Sequence, residues 1–252
     1  MKRAHTCGIN PVAQLLSRSP ERVLQLWVTR DRGRVAHLVE QARAHGIPVH
    51  DAHDSALERL AGDAAHQGVV AEIRSTGPLP ESALDELLES AGPQALVLVL
   101  DQVQDPHNLG ACLRSAAAAG ACAVVIPAHR AAPLTPAARK SSAGAAEVVP
   151  VVQVGNLARA IDRLKRAGLW CIGLDGRSDQ SLYATDLNRP LALVLGNEQT
   201  GLRRLTRERC DLVASIPMPG GFESLNVSVA AGIALFEAVR QRAISTEGGS
   251  AK

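Results

Sequence analysis

Aromatic side chains are scarce in this sequence: Trp27, Trp170, Tyr183, Phe222 and Phe236 are all that 252 residues contain. A module that grips RNA by stacking bases on an aromatic platform needs more than that. Any RNA contact must therefore rest on phosphates and shape. Long apolar runs are missing too, since the longest near-apolar stretch, 116–128, consists mostly of Ala, Gly and Val and falls short of the roughly 20 residues a membrane span needs. No transmembrane helix is expected. The first residues, Met1-Lys2-Arg3-Ala4-His5-Thr6-Cys7-Gly8, carry charge without the apolar stretch of a secretory signal, which gives a cytoplasmic expectation. The five cysteines (Cys7, Cys112, Cys122, Cys171, Cys210) form no C-x-x-C pair and leave an odd count, which argues against a disulfide framework and a structural zinc site. They are read as reduced, mostly buried thiols. Six of the eight histidines precede residue 67, without metal-ligand spacing, so no metal is expected.

What is present is enough for a core, with 46% hydrophobic and 21% charged residues. The net charge of +2 is unevenly spread. Residues 76–93 hold four acidic residues and no Lys or Arg, and they separate two mildly basic blocks. Arg supplies 23 of the 27 cations, which suits bidentate phosphate contact. A GC-rich genome produces the same bias, and on composition alone that plainer explanation is the stronger.

Residues 1–75 alternate short apolar runs with amphipathic stretches: strands at Val23 to Thr29, Ile47 to Val49 and Val69 to Ile73, helices at Arg34 to Ala44 and Ser55 to Leu60. This predicts a small α/β domain. The stretch 76–93, with Pro78, Pro80 and Pro93 around a capped acidic helix from Ser82 to Glu89, reads as a linker. From 94 to 243, buried-looking strands (Leu96 to Leu100, Ala123 to Ile126, Val148 to Val154, Leu169 to Leu174, Leu191 to Leu195, Leu212 to Ile216) alternate with helices (Leu109 to Ala119, Leu157 to Ala167, Leu202 to Cys210, Val227 to Arg242). That alternation predicts a doubly wound α/β domain with a parallel sheet. Residues 244–252 read as a frayed tail.

Three segments lie where such sheets bind ligands, beyond the carboxyl ends of strands. Leu195-Gly196-Asn197-Glu198-Gln199-Thr200-Gly201-Leu202-Arg203 has the glycine spacing of a P-loop, but Leu202-Arg203 stands where Lys-Ser/Thr must reach phosphate and magnesium. Nucleotide hydrolysis is thereby disfavoured, and a plain tight turn stays open. Asp101 to Ser115 leaves a strand through a polar turn, places Asn108 as a helix cap, and sets Arg114 in an Ala-rich face. A cation inside that face would need an anion to answer it. His107 reads as a solvated turn residue. Ile216 to Gly232 runs through a glycine turn into a helix opened by Ser224 and Asn226, and capping explains only one of Ser224, Asn226 and Ser228.

Asp105-Pro106-His107-Asn108-Leu109-Gly110 with Arg114, Leu195-Gly196-Asn197-Glu198 with Gly201, and Ile216-Pro217-Met218 with Ser224-Leu225-Asn226-Val227-Ser228-Val229-Ala230 together resemble the three ordered motifs of the SpoU (TrmH-like, SPOUT superfamily) RNA 2'-O-ribose methyltransferases. Gly8-Ile9-Asn10-Pro11-Val12 and His66-Gln67-Gly68-Val69-Val70-Ala71 resemble the amino-terminal, L30e-like substrate-binding domain of the RlmB-type members. Asn10 departs from the histidine more usual there. The resemblance implies an α/β fold with a trefoil-knotted catalytic domain, S-adenosyl-L-methionine as cofactor, and a homodimer with its site near the subunit boundary. It implies a guanosine of 23S ribosomal RNA, in the peptidyl-transferase P loop, as target. Position by position it gives Asn108, Arg114, Glu198, Ser224 and Asn226 as the catalytic set, and Gly196, Ile216, Met218 and Leu225 as cofactor-binding.

A ribose 2'-hydroxyl is a poor nucleophile, so such an enzyme must align it and help with one proton. No His, Cys or metal cluster lies within the motifs to act as an obvious base, and an arginine keeps its charge in proteins. Arg114 is therefore read as a clamp on the phosphate beside the target ribose; its action as the base ranks second. A tRNA-directed or antibiotic-resistance member would share every catalytic residue, and a non-catalytic RNA-binding α/β protein would be expected to have lost Arg114 or Asn226.

Overall fold

The computed structural model describes residues 2–29, 33–62, 65–75 and 77–248. These form two compact units, one of residues 1–77 with 139–148, the other of 78–138 with 149–252.

In the first unit, strands β1 (Lys2–Cys7), β2 (Val23–Val28), β3 (Val49–Asp51) and β4 (Val69–Ser75) form a sheet in the order β1-β4-β2-β3. β4 runs antiparallel to β1 and β2, and β3 parallel to β2. Helix α1 (Ile9–Arg18) buries Val12, Leu15 and Leu16, the i, i+3, i+4 stripe of an amphipathic helix. With α2 (Arg34–Ala44), which contributes Leu38, it closes one face of the sheet over Leu26 and Ile73. α3 (Asp54–Ala61) sets Leu57 against Cys7 and Val70 in a separate cluster. Neither β1 nor α1 was expected. The strand expected at Ile47 to Val49 forms two residues later, because the Ile47 amide is tied to the end of α2 through Ala42 and Pro48 has no N–H.

Residues 139–148 complete this unit. Gly144 takes φ +89°, and a Cβ there would lie 3.2 Å from the Thr6 methyl. The chain then turns into Glu147, whose buried carboxylate accepts from Arg22 Nη2 at 2.8 Å and also pairs with Arg139. Burial lowers the pKa of both guanidinium groups.

The second unit is a seven-stranded sheet of β5 (Leu79–Pro80), β6 (Leu96–Leu100), β7 (Ala123–Pro127), β8 (Val151–Val154), β9 (Trp170–Leu174), β10 (Leu191–Leu195) and β11 (Leu212–Ala214). The order is β11-β9-β10-β6-β7-β8-β5, and every pairing is parallel. Its helices are α4 (Leu84–Ala91), α5 (Pro106–Ala118), α6 (Pro136–Ser141), which ends in the first unit, α7 (Leu157–Arg166), α8 (Arg204–Arg209) and α9 (Val227–Gly248). All five residues of β6 and of β10 are buried. Strands covered on both faces read as continuous apolar runs, and each buried Leu or Val adds about 1.5 to 3 kcal/mol. Val97, Val99, Ala192 and Val194 share a cluster with Leu84, Leu157, Ile161 and Leu202, which puts α4 and α7 on one face. α5 and α9 pack together, with α9 also against β10.

Three expectations change here. The 76–93 stretch is not bare linker, because β5 pairs with β8 and α4 buries Leu84 and Leu88 in the core. Ser82 caps nothing; a 3-10 turn, Glu81–Ala83, precedes α4. The last helix continues through Gly248, past Ile244, and 249–252 lie outside the described residues. The chain builds β6, β7 and β8 outward in one direction and then crosses back to β9 and β10 on the other side of β6. Such a reversal opens a crevice at the carboxyl ends of the strands.

Candidate active site

Beyond the carboxyl ends of β9, β10 and β11 lies a cavity of about 770 Å³. Its wall from β10 is the Gly196 to Gly201 loop, which closes on itself: Asn197 and Gly201 exchange both backbone hydrogen bonds, at 3.2 and 2.8 Å. Asn197 Oδ1 accepts from the amides of Gln199 and Thr200, and its Nδ2 donates to the Gln102 carbonyl. Gly196 is required by space, because a Cβ there would come within 2.4 Å of three backbone atoms of Gly201 and Leu202. The loop cannot cradle a triphosphate as a P-loop does: Leu202 is core, and Arg203 is held by Asp101, through its amide at 3.1 Å and its Nε at 2.7 Å.

Asp101, fully buried at the end of β6, was assigned no role from the sequence. It joins the turn before α5 to the loop after β10. That turn ends at Asp105, whose Oδ1 accepts from the His107 amide at 2.9 Å and caps α5 with Pro106 at the first helical position. Asn108 is therefore not the cap. Asp105 takes that role, and the Asn108 side chain is released to bridge two other segments. Its Nδ2 donates to Glu198 Oε1 at 2.6 Å, and its Oδ1 accepts from Asn226 Nδ2 at 2.9 Å. Asn226 Oδ1 in turn accepts from the Ser228 amide at 2.9 Å and hydroxyl at 2.6 Å, and so caps α9. One hydrogen-bonded chain, Glu198–Asn108–Asn226–Ser228, thus runs through all three sequence segments.

Arg114 lies six residues beyond Asn108, about 9 Å along the helix axis. It is exposed, not enclosed in the Ala-rich face, and it pairs with no group among the described residues. The buried positions of that face are Cys112, Leu113 and Ala116 instead. Gly196, Glu198, Ile216, Met218, Ser224 and Leu225 all line the cavity, whereas Asn108, Arg114 and Asn226 do not. Phe222 lines it too and is 78% exposed. His107 is exposed in the first turn of α5.

Two further residues at the cavity escaped the sequence reading. Asp175 follows β9 directly, is 7% exposed, and receives Arg177 through its amide at 3.0 Å, Nε at 3.1 Å and Nη2 at 3.3 Å, and Arg207 Nη1 at 2.5 Å. Burial raises the Asp175 pKa, but the hydrogen bonds from Arg177 and the charge of both arginines outweigh it and hold the carboxyl below its usual range. A polar pair immediately after a buried strand was the available signal.

The cysteines are free. Burial pushes Cys7 up to about 11 and Cys112 and Cys210 up to about 12, with the Glu198 charge adding to the rise at Cys112. Thiols so protonated supply neither nucleophile nor base at neutral pH. Among the described residues no group of three His, Cys, Asp or Glu could hold a metal ion, and no helix is long and apolar enough to cross a membrane.

Set beside known proteins, residues 95–236 match the model of the SpoU rRNA Methylase family, and residues 6–79 match that of RNA 2'-O ribose methyltransferase substrate binding. A 23S rRNA (guanosine-2'-O-)-methyltransferase RlmB from Xylella fastidiosa is 50% identical over 239 residues, 94% of this chain and 96% of its own. Its counterpart from Pseudomonas putida is 47% identical over the same shares. Among solved structures, the SpoU methyltransferase AviRb from Streptomyces viridochromogenes, in complex with the cofactor AdoMet, superposes with a TM-score of 0.68 at 27% identity, over 95% of this chain and 90% of AviRb.

Proposed function

The chain belongs to the SpoU rRNA methylase family, and from that membership we propose that it transfers a methyl group from S-adenosyl-L-methionine to the ribose 2'-hydroxyl of a guanosine in 23S ribosomal RNA. The observation that carries this reading is the chain of hydrogen bonds from Glu198 through Asn108 and Asn226 to Ser228 beside the 770 Å³ cavity. The cavity suits an adenosyl group: Gly196 lets the loop after β10 fold back tightly on Gly201 and Leu202 and so keeps that wall in place, and Ile216, Met218 and Leu225 line it. Those four residues would hold the cofactor, whose sulfonium supplies an activated methyl group.

The residues of the chain do the rest. Glu198 fixes Asn108, Asn108 fixes Asn226, and the three present a rigid polar edge that, with the Ser224 hydroxyl, orients the target ribose. Arg114, free of any partner among the described residues, clamps the phosphate next to that ribose and stabilises the alkoxide as it forms. The proton passes to phosphate or water. The first unit, which carries the substrate-binding match, selects the RNA, and the P loop of 23S RNA is the target we assign, which places the enzyme in the cytoplasm. Family membership also supports the trefoil knot in the segments after Leu191.

The enzyme is a homodimer in this reading. Val229 and Phe236, each 49% exposed, and Ile233 form one stripe on α9. Arg114 is exposed on the neighbouring α5, where a site near the subunit boundary can use it. Sedimentation at micromolar concentration is expected to give twice the chain mass, and Phe236→Glu to give monomer; a monomeric native protein overturns the dimer.

Mapping of 2'-O-methyl sites in ribosomal and transfer RNA, from cells with and without the protein, tests the function. The expected result is loss of one methylated guanosine in the P loop of 23S RNA. Loss from a transfer RNA instead would move the enzyme to another substrate class.

A further inference from the structure

Three carboxylates line the cavity, Asp175, Glu198 and Glu223, and among the lining residues Arg177 is the single cation. Its side chain is 74% exposed, yet it does not swing freely: Nε and Nη2 are both bound to Asp175, whose own side chain is 4% exposed. Arg207 secures the same carboxylate from α8 at 2.5 Å. The fork leaves the Nη1 hydrogens and one Nη2 hydrogen of Arg177 without an intramolecular acceptor among the described residues. Nη2 lies close enough to Gly201 that a Cβ there would sit 3.5 Å from it, so the guanidinium spans from the loop after β9 to the loop after β10. Holding the Asp175 carboxylate charged uses two of the five N–H donors of the Arg177 side chain, and the other three face the cavity with nothing among the described residues to accept them.

We infer that Arg177 is the anchor for the α-carboxylate of the methionine moiety of S-adenosylmethionine. The inference rests on the methyltransferase reading above. A ligand carboxylate entering a cavity already lined by three carboxylates must be answered by a cation or by several donors, and a guanidinium fixed by two hydrogen bonds meets it in the bidentate geometry that such pairs favour. Pre-fixing by Asp175 removes the rotamer entropy that binding would otherwise cost. Asp175 is then a positioning residue. It touches no ligand but sets the plane of the group that does.

Titration of the full-length protein, without RNA, with S-adenosylmethionine and with its decarboxylated analogue isolates the carboxylate. The native enzyme is expected to prefer the complete cofactor by about ten-fold, equivalent to about 1.4 kcal/mol. Arg177→Ala should erase that preference while leaving affinity for the decarboxylated analogue within about two-fold, and Arg177→Lys should keep part of it. A preference that survives Arg177→Ala, or a native enzyme with none, overturns the inference. So does an Arg177→Ala protein that binds both small ligands as the native protein does and, in a separate titration with RNA, loses only RNA affinity, because the anion is then a phosphate. If Arg177→Ala loses both small ligands, Arg177→Gln decides, since it still donates to Asp175: the analogue bound with no preference supports the anchor, and equal loss of both refutes it. A native protein that binds neither ligand refutes the methyltransferase reading itself, a failure distinct from these.

Discussion

Alanine in place of Arg114 is expected to slow single-turnover methylation by about 10²- to 10³-fold, about 2.7 to 4 kcal/mol, the usual cost of one charge-assisted contact made in the transition state. Affinity for S-adenosylmethionine should stay near native, because Arg114 is absent from the cavity wall that Gly196, Ile216, Met218 and Leu225 form. Stability should hardly change, since the side chain is exposed and pairs with nothing among the described residues. Arg114→Lys then separates clamp from base. A lysine clamp keeps the charge and loses the fork, so partial activity with a flat pH profile is expected. A lysine base would speed up as pH climbs toward about 10. A steep rise seen only in the lysine variant would overturn the clamp.

Gly196→Ala should abolish cofactor binding by a steric route. The added methyl would lie 2.2 Å from the Gly201 carbonyl carbon, 2.3 Å from its oxygen and 2.4 Å from the Leu202 nitrogen. None of these is the end of a flexible side chain, so the Asn197 to Gly201 loop must open and lose both of its cross-strand hydrogen bonds. Overpacking of this kind costs about 1 to 3 kcal/mol, and opening the cavity wall should weaken S-adenosylmethionine binding by at least about a hundred-fold, or 2.7 kcal/mol. Calorimetry with the cofactor and thermal unfolding check the two effects together. Binding within about three-fold of native would mean that the loop yields, and Gly196 would lose its place in the site.

Much of the architecture was legible because parallel strands buried on both faces cannot disguise themselves. Leu96 to Leu100 and Leu191 to Leu195 were bounded to the residue, as were the starts of α7 and α9 at Leu157 and Val227. Where polar residues form the element, periodicity fails. β1, Lys-Arg-Ala-His-Thr-Cys, is a strand through its pairing with β4, a non-local cause that no local window contains. The site was legible as residue types and not as geometry. Asn108 looked like a cap because Asn caps helices, but Asp105 three residues earlier competes for that post and wins with Pro106 behind it. Arg114 looked enclosed because its neighbours are small, whereas the helix turns it outward. Asp101 and Asp175 were passed over because one carboxylate after a strand is ordinary until the arginines that reach it, 102 and 32 residues away, are seen.

The path of the chain bears on how such an enzyme can be taken apart or recombined. Residues 139–148 fold with the amino-terminal unit although they lie deep within the stretch matched by the methylase family, so a gene cut between Gly77 and Pro78 does not separate two self-sufficient pieces. The carboxyl-terminal piece would carry Glu147 away from Arg22, and the amino-terminal piece would lack the carboxylate that Arg22 binds. Exchange of the unit that carries the substrate-binding match between relatives, by evolution or by an engineer, must therefore move two stretches of coding sequence together. A swap that moves only the first leaves mismatched charges in a buried seam. The two halves of this gene are tied to a common inheritance more closely than a simple fusion would be.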